Sequence, residues 1–89
     1  DIQKLVADHY KVRIIDLKAK SRTQPLVTAR QICMYLTKKH CDKSLVEIGR
    51  AFGGKDHSTV INALRRIEER LGTNPDMKKD FNEIESRIH

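Results

Sequence analysis

The sequence lacks the features typical of membrane and secreted proteins. No run approaches the roughly 18 apolar residues that span a bilayer, and no charged segment followed by an apolar one opens the chain as a signal peptide would. Its two cysteines, Cys33 and Cys41, lie eight positions apart, which fits neither a CxxC pair nor a disulfide framework. We therefore expect a soluble fragment whose cysteines are buried or half-buried thiols in a reducing cytosol.

Motifs of catalysis are also missing. The sequence has no GxxxxGK phosphate loop, no GxGxxG turn, and no arranged nucleophile, base and orienting group. Residue types alone would allow a metal site built from Cys41 with His40 or His57, but the ligand spacing of a zinc site is absent. The sequence therefore predicts no catalytic residue, no metal site and no cofactor in this chain.

The length leaves room for one small domain over residues 1–89. A fold of this size buries only about 60–65% of its unfolded surface in a single core. The chain begins at Asp1 without an initiator methionine, so we expect a fragment of a longer protein.

Acidic residues are unevenly distributed, and their scarcity in one region concentrates the net charge of +6. No acidic residue lies between Asp16 and Asp42, and residues 17–67 hold eleven basic and three acidic residues, a regional charge of +8. Such a concentration favours an anionic partner, either nucleic acid or an acidic membrane surface.

Strand signals are nearly absent, because the one β-branched run, 12–15, is short and charged. Apolar residues recur instead at helical spacing. They predict helices over about 2–10, around 14–17, from Pro25 to near Cys41, from Ser44 for two turns, from Asp56 to Leu71, and from Asn74-Pro75 onward. Residues 18–25 have no apolar periodicity and form a basic loop. We expect an all-α fold, a compact bundle of about six helices.

Capping signals define the central pair of helices. Ser44 and Glu47 fit a capping box that begins a helix, and Gly53-Gly54 should end that helix. Asp56 is a second N-cap, and Gly72 is suited to the C′ position after the second helix. A short helix, a glycine-containing turn and a longer helix over 44–71 together predict a helix-turn-helix.

The second helix of such a motif inserts its N-terminus into the DNA major groove. Here that end carries Asp56, His57, Ser58 and Thr59, short polar side chains that can contact base edges. Asp56 has two compatible interpretations, a helix cap and an acceptor for a cytosine amino group. His57 lies at the edge of the apolar stripe, so a histidine packed in the core is the alternative to a base contact.

Three blocks of the sequence resemble the C-terminal DNA-binding domain of the DnaA family of bacterial replication initiators. The longest is IGRAFGGKDHSTV at 48–60, and the others are RQICMYL at 30–36 and KAKSR at 18–22, in the family's order and spacing. The resemblance covers nearly the whole chain. It implies a Trp-repressor-like helix-turn-helix that binds DnaA boxes at replication origins.

The same resemblance implies how individual residues contact DNA. Arg22 would enter the minor groove, while Asp56, His57, Ser58 and Thr59 would read bases in the neighbouring major groove. Phosphate contacts are implied for Thr23, Arg30, Gln31, Lys38, Lys55 and the backbone amides of Leu45 and Val46. Apart from the resemblance, we expect the remaining cations on a solvated face: Lys39, Lys43, Arg65, Arg66 and Arg70. Arg65 and Asn62 lie opposite the apolar stripe of their helix, so both could also reach DNA.

Three positions depart from the family pattern. Ala29 and Val46 stand where proline is usual, and Gln24 stands where many members carry a cation. Proline has no N–H to donate, so the usual family residue at position 46 could not make a contact through its amide. A phosphate contact from the Val46 amide therefore has to be tested.

The resemblance also implies double-stranded DNA as partner, a bacterial cytoplasm with its nucleoid, and a monomeric fragment. For the full-length protein it implies ATP and magnesium bound upstream, oligomerisation on the origin, and binding of acidic phospholipid. Two alternatives stay open. One is a dimeric regulator of an unrelated operator, and the other is an adaptor or membrane-surface module whose basic face binds any anion.

Overall fold

The computed structural model describes residues 1–19 and 22–88. Six helices follow one another along the chain: α1 (Ile2–Tyr10), α2 (Ile14–Lys18), α3 (Leu26–His40), α4 (Leu45–Ala51), α5 (His57–Thr73) and α6 (Pro75–Glu85). No strand occurs in the described ranges, which confirms the predicted all-α bundle of six helices. None of these helices combines the length and apolar character that crossing a membrane requires.

The central element of the core is α3, which packs against α1, α2, α4 and α5. Its apolar face carries Ile32 and Leu36, both fully buried, and the other helices add large side chains around them. The large, fully buried side chains outside α3 are Val6, Leu17, Ile48, Val60, Ile67, Ile84 and Phe52, the C-cap of α4. Each such side chain contributes about 1.5–3 kcal/mol relative to exposure. This one core therefore positions all six helices.

The turn between α4 and α5 is built as the sequence predicts. Ser44 Oγ accepts from the Glu47 amide and the Glu47 carboxylate accepts from the Ser44 amide, which confirms the capping box. Gly53 and Gly54 follow α4 with positive φ of 88° and 77°, a conformation that costs glycine little. The capping box thus fixes where α4 begins, and the two glycines form the short turn that connects α4 to α5.

Gly49 lets α4 and the turn approach each other closely. Its carbonyl accepts from the Lys55 amide at 2.9 Å, and a Cβ at position 49 would collide with the Lys55 carbonyl oxygen. A glycine at this position is therefore required for the tight turn that brings α5 across α4.

Two details of the helix ends differ from the predictions. Gly72 does not end α5, because the helix continues to Thr73 and the Asn74 amide donates to the Arg70 carbonyl at 2.7 Å. The Asn74 side chain then accepts from the Met77 amide, so one residue closes α5 and opens α6. Pro25 is the N-cap of α3 rather than part of its first turn.

The prediction for Cys41 is also wrong. Cys33 is fully buried on the inner face of α3, but Cys41 is exposed. Cys41 follows the last residue of α3, where the extended backbone directs the chain away from the core. His40, the last residue of α3, is likewise exposed and lies 2.8 Å from a Glu85 carboxylate oxygen.

Candidate nucleic-acid interface

The N-terminus of α5 presents polar side chains to solvent. Asp56 Oδ1 accepts from the Thr59 amide at 2.9 Å and from the Thr59 hydroxyl at 3.1 Å, which confirms Asp56 as the N-cap. These hydrogen bonds hold the pKa of Asp56 below its ordinary value, so its carboxylate remains charged at neutral pH. The cap thus fixes two of the four side chains predicted to read bases.

His57 and Ser58, the other two residues of this end, are exposed. The apolar face of α5 begins one turn later, at Val60, which is fully buried. The alternative that His57 is a packed core histidine is therefore wrong. Its contact with a base remains a prediction.

An open groove of about 850 Å³ separates the N-terminal part of α5 from the loop before α3. Both predicted reading elements line it, since Arg22 lies on the loop side and Thr59 on the helix side. The polar and charged lining includes Arg22, Gln24, Arg30, Lys55, Asn62 and Arg66. Two predicted loop residues, Lys20 and Ser21, lie outside the described residues. The groove thus gathers cations from the loop, α3, the turn after α4 and α5.

Arg30, predicted to contact phosphate, is 8% exposed and occupied by contacts within the protein. Its Nε donates to the Leu17 carbonyl at 2.7 Å, and its Nη2 donates to the Ala19 carbonyl at 2.8 Å. Burial lowers the pKa of its guanidinium, and no carboxylate of the described residues forms an ion pair with it. The structure thus gives Arg30 a role that the sequence did not predict, holding the backbone where the loop begins.

The far side of the loop is held from α3 and α5. Thr28 Oγ1 donates to Gln24 Oε1 at 2.7 Å, and Arg70 Nη1 donates to Thr28 Oγ1 at 3.4 Å. Arg70 was expected on a solvated face, but it is half-buried. Gln24, which replaces a cation of the family pattern, is bound to α3 through its side-chain oxygen.

The other predicted phosphate contacts surround the groove and the start of α4. Thr23 is exposed, and Gln31 is half-buried with its Oε1 lacking a hydrogen-bond partner among the described residues. The exposed Lys38 donates from Nζ to the Lys43 carbonyl at 3.4 Å. Leu45 and Val46 are the first two residues of α4, and the Val46 side chain is exposed. Their phosphate contacts remain predictions.

One face of α5 was only partly predicted from the sequence, since Asn62 was expected to be able to reach DNA but Arg66 and Arg70 were not. Asn62 and Arg66 line the groove one and two turns beyond the N-terminal residues, together with Arg70. Their signal was the helical spacing from Thr59, since residues three, seven and eleven positions further along a helix share its face. Arg66, expected only on a solvated surface, is exposed but faces this groove.

The described residues contain one group of three potential metal ligands, away from the groove, in His9, Asp80 and Glu83. His9 Nε2 lies 3.3 Å from Asp80 Oδ1, and Glu83 lies 3.9 Å from Arg87, so protein contacts already account for this group. Cys41 is not grouped with His40 or His57 in any cluster of three potential metal ligands among the described residues.

Comparisons with known proteins agree on one family. A family model described as the bacterial dnaA protein helix-turn-helix matches residues 1–67. The chromosomal replication initiator protein DnaA of Bdellovibrio bacteriovorus is 56% identical over 89 residues, which is 100% of this chain and 19% of that protein. The corresponding protein of Psychromonas ingrahamii is 46% identical over 81 residues, 91% of this chain and 18% of that protein.

The architecture is similar to that of a solved protein as well. A crystal structure of a DNA replication initiation factor superposes with a TM-score of 0.84 and 40% sequence identity, covering 97% of this chain and 26% of that one. The chain thus spans about a fifth of the length of the curated relatives it matches.

Proposed function

The chain belongs to the DnaA family of bacterial chromosomal replication initiators, and on this premise we propose that it recognises a DnaA box through two neighbouring DNA grooves. The part of the family it represents is the helix-turn-helix domain, which binds DNA in replication initiation and is not an enzymatic module. The proposal concerns which DNA is bound and by which residues.

One observation carries the proposal: Arg22 and Thr59, a residue of the first turn of α5, line the same groove. In a helix-turn-helix the N-terminus of the second helix contacts bases in the major groove. An arginine beside it can reach the adjacent minor groove, where a narrow, negative channel attracts cations. The groove between them would receive the phosphate strand that separates the two DNA grooves.

Base recognition would come from both sides of that strand. Asp56, His57, Ser58 and Thr59 would contact major-groove edges, and Arg22 would read the minor groove. Each good base contact contributes about 1–3 kcal/mol of discrimination. Because Asp56 is held by Thr59, its carboxylate is pre-oriented before DNA arrives.

Phosphate contacts would supply most of the affinity and fix the register on the duplex. The residues proposed for them are Thr23, Gln31, Lys38, Lys55, Leu45 and Val46, without Arg30, whose guanidinium is buried and bound to backbone carbonyls. At Val46 the valine supplies an N–H that the proline common in the family lacks, and the first-turn amides of a helix have no acceptor within it. Neutralising about five to eight phosphates predicts a slope of roughly −5 to −7 in log affinity against log salt concentration.

The context of the whole protein is part of the proposal. We infer that this domain, as a monomer on one asymmetric site, positions an upstream module that binds ATP and magnesium. The full-length protein would oligomerise on the origin in the bacterial nucleoid and bind acidic phospholipid. These activities belong to segments beyond the fifth of the relatives' length matched here.

A titration of the domain against two duplexes at two salt concentrations tests the proposal. One duplex carries a single DnaA box and the other carries its scrambled sequence. The domain should prefer the box at both salt concentrations. Equal affinity for the two would contradict sequence reading and favour the alternative of a module that binds any anion.

Two variants separate the predicted roles. His57→Ala should erase the preference at one or two base pairs, whereas Lys38→Ala should weaken binding to every duplex alike. Lys79→Ala is the matched control, because Lys79 is exposed on α6 and lines none of the groove. It should bind both duplexes as the parent does.

A further inference from the structure

Arg30 is a buried cation whose hydrogen bonds go to the main chain. Its guanidinium donates to two carbonyls, of Leu17 at 2.7 Å and of Ala19 at 2.8 Å. Burying a charge is costly unless hydrogen bonds compensate for lost water. If position 30 only had to fill the core, an apolar side chain would do so at lower cost. The buried guanidinium of Arg30 therefore indicates a role that depends on its hydrogen bonds.

The two carbonyls identify that task. Leu17 lies in the last turn of α2, and Ala19 is its C-cap, so the guanidinium satisfies backbone groups that the end of α2 leaves without internal partners. The same backbone leads into the segment that carries Arg22. Arg30 is also on α3, the helix that packs against α5. A rigid route therefore joins the start of the loop to the recognition helix.

We propose that Arg30 is a positioning residue for minor-groove recognition, acting through the backbone at Leu17 and Ala19 to set where Arg22 stands relative to α5. This rests on the proposed function. It differs from the phosphate contact implied by the family resemblance, because the effect on DNA passes through Arg22. Arginine suits the role since its planar fork reaches two carbonyls at once, whereas lysine presents a single point of charge.

Two further contacts involve residues at the two ends of the loop. Gly53 of the turn lies against the Lys18 carbonyl, between the two carbonyls that Arg30 binds. At the other end of the loop, Thr28 holds Gln24. Since Arg30 binds the first of these ends, a change at Arg30 should release the backbone at Leu17 and Ala19 and shift Arg22, while the N-cap of α5 at Asp56 is retained.

A double-mutant cycle with Arg22 tests the proposal. The proteins are the parent, Arg30→Lys, Arg22→Ala and the double variant, with Arg87→Lys as an arginine-to-lysine control on the exposed C-terminal segment. Each is titrated against the DnaA box, against a box with A·T to G·C changes in the minor-groove half, and against one with changes in the major-groove half. Circular dichroism checks that each is folded, and Arg30→Gln replaces Arg30→Lys if lysine prevents folding.

Positioning predicts a loss confined to one half of the box. Arg30→Lys should reduce discrimination against the minor-groove changes by about tenfold and leave discrimination at the major-groove changes within about twofold. In the Arg22→Ala background the same change should have less than about a twofold effect, because coupled residues are not additive. A uniform loss on all duplexes that adds to the effect of Arg22→Ala, or no loss at all, would overturn the proposal.

A measurement without DNA separates this proposal from the proposed function. Trypsin should cut within 18–22, after Lys18, Lys20 or Arg22, roughly fivefold faster in folded Arg30→Lys than in the parent, because local opening controls cleavage of a native loop. Unchanged cleavage would show that Arg30 does not hold the loop. If the parent fails to prefer the box but cleavage accelerates as expected, box recognition is wrong while the loop-fixing role of Arg30 stands.

Discussion

Gly53 and Lys18 lie in contact, and a Cβ on Gly53 would come within 2.6 Å of the Lys18 carbonyl oxygen. The first residue belongs to the turn of the helix-turn-helix, and the second ends α2, where the basic loop begins. Their contact joins the two DNA-reading elements directly. The spacing between those elements thus depends on this backbone contact and on the Arg30 side chain, which binds the carbonyls on either side of Lys18.

Gly53→Ala should destabilise the domain by about 2–4 kcal/mol, since alanine meets both a positive φ and a backbone oxygen that cannot move aside easily. Gly54→Ala is the matched control. Gly54 also has a positive φ, but nothing lies within 4 Å of a Cβ there, so the cost should be about 1–2 kcal/mol. Urea unfolding of both variants measures the two losses of stability. Equal losses would mean that the backbone at Lys18 moves away from a Cβ at position 53 without a measurable energetic cost.

His57→Ala should change DNA preference while leaving stability within about 0.5 kcal/mol of the parent, because the side chain is exposed. Thermal unfolding and titration of box variants measure the two properties on the same sample. Val60→Ala provides the contrast, since Val60 is fully buried and its truncation should lower stability by about 1–3 kcal/mol. A large loss of stability in His57→Ala would disprove the exposed position of this ring.

The helix caps were predictable from sequence because each depends on residues a few positions apart. The capping box at Ser44 and the N-caps at Asp56 and Asn74 all form as local chemistry requires. The role of Arg30 was not predictable in this way, because its acceptors lie 11 and 13 positions away and become neighbours only in the packed fold. The family resemblance identified the residue as functional but gave no indication that its charge would be directed inward.

Glycine signals were equally informative and equally limited. Gly53-Gly54 ended a helix as expected, whereas Gly72 lies inside α5. Glycine permits a helix end without enforcing one, and the Asn74-Pro75 pair two residues later provides a stronger stop. Sequence patterns alone do not decide between adjacent stop signals of this kind.

Acid should weaken the packing of α6 on α3 through Glu85. Its carboxylate lies 2.7 Å from Lys39 Nζ and 2.8 Å from His40 Nε2, and these contacts lower its pKa from the ordinary value of 4.5. A carboxylate with a lower pKa in the folded state stabilises the fold above its unfolded pKa. That contribution is lost as pH falls through the folded pKa.

Glu85→Gln should therefore lose less than about 1 kcal/mol at pH 7 and show a shallower decline in stability below about pH 5. Glu83→Gln is the control on the same helix, because its contact with Arg87 is long, at 3.9 Å. Urea unfolding between pH 2 and pH 7 compares them. A Glu85→Gln curve parallel to that of the parent would show that these ion pairs contribute nothing to acid sensitivity.

The two cysteines should react at very different rates. Burial raises the pKa of the Cys33 thiol to about 12, whereas Cys41 is exposed. Since the thiolate is the reactive form, iodoacetamide should modify only Cys41 in the native domain, and Cys33 only in denaturant. Mass spectrometry of the parent and Cys41→Ser checks this, and any native adduct on Cys41→Ser would contradict the burial of Cys33.

Lys11 ends α1 in a left-handed conformation, with φ 57° and ψ 43°, and its amide donates to the carbonyls of Ala7 and Asp8. A side chain in this conformation costs about 1–2 kcal/mol, which glycine avoids at an entropic penalty of roughly 0.5–1 kcal/mol. Lys11→Gly should therefore stabilise the domain by about 0.5–1 kcal/mol, and Lys11→Ala should not, although both remove the same charge. Urea unfolding of the two variants distinguishes backbone relief from loss of charge. Because Lys11 lines none of the groove, DNA preference should be the same in all three proteins, and a change in preference would mean that α1 contributes to the interface.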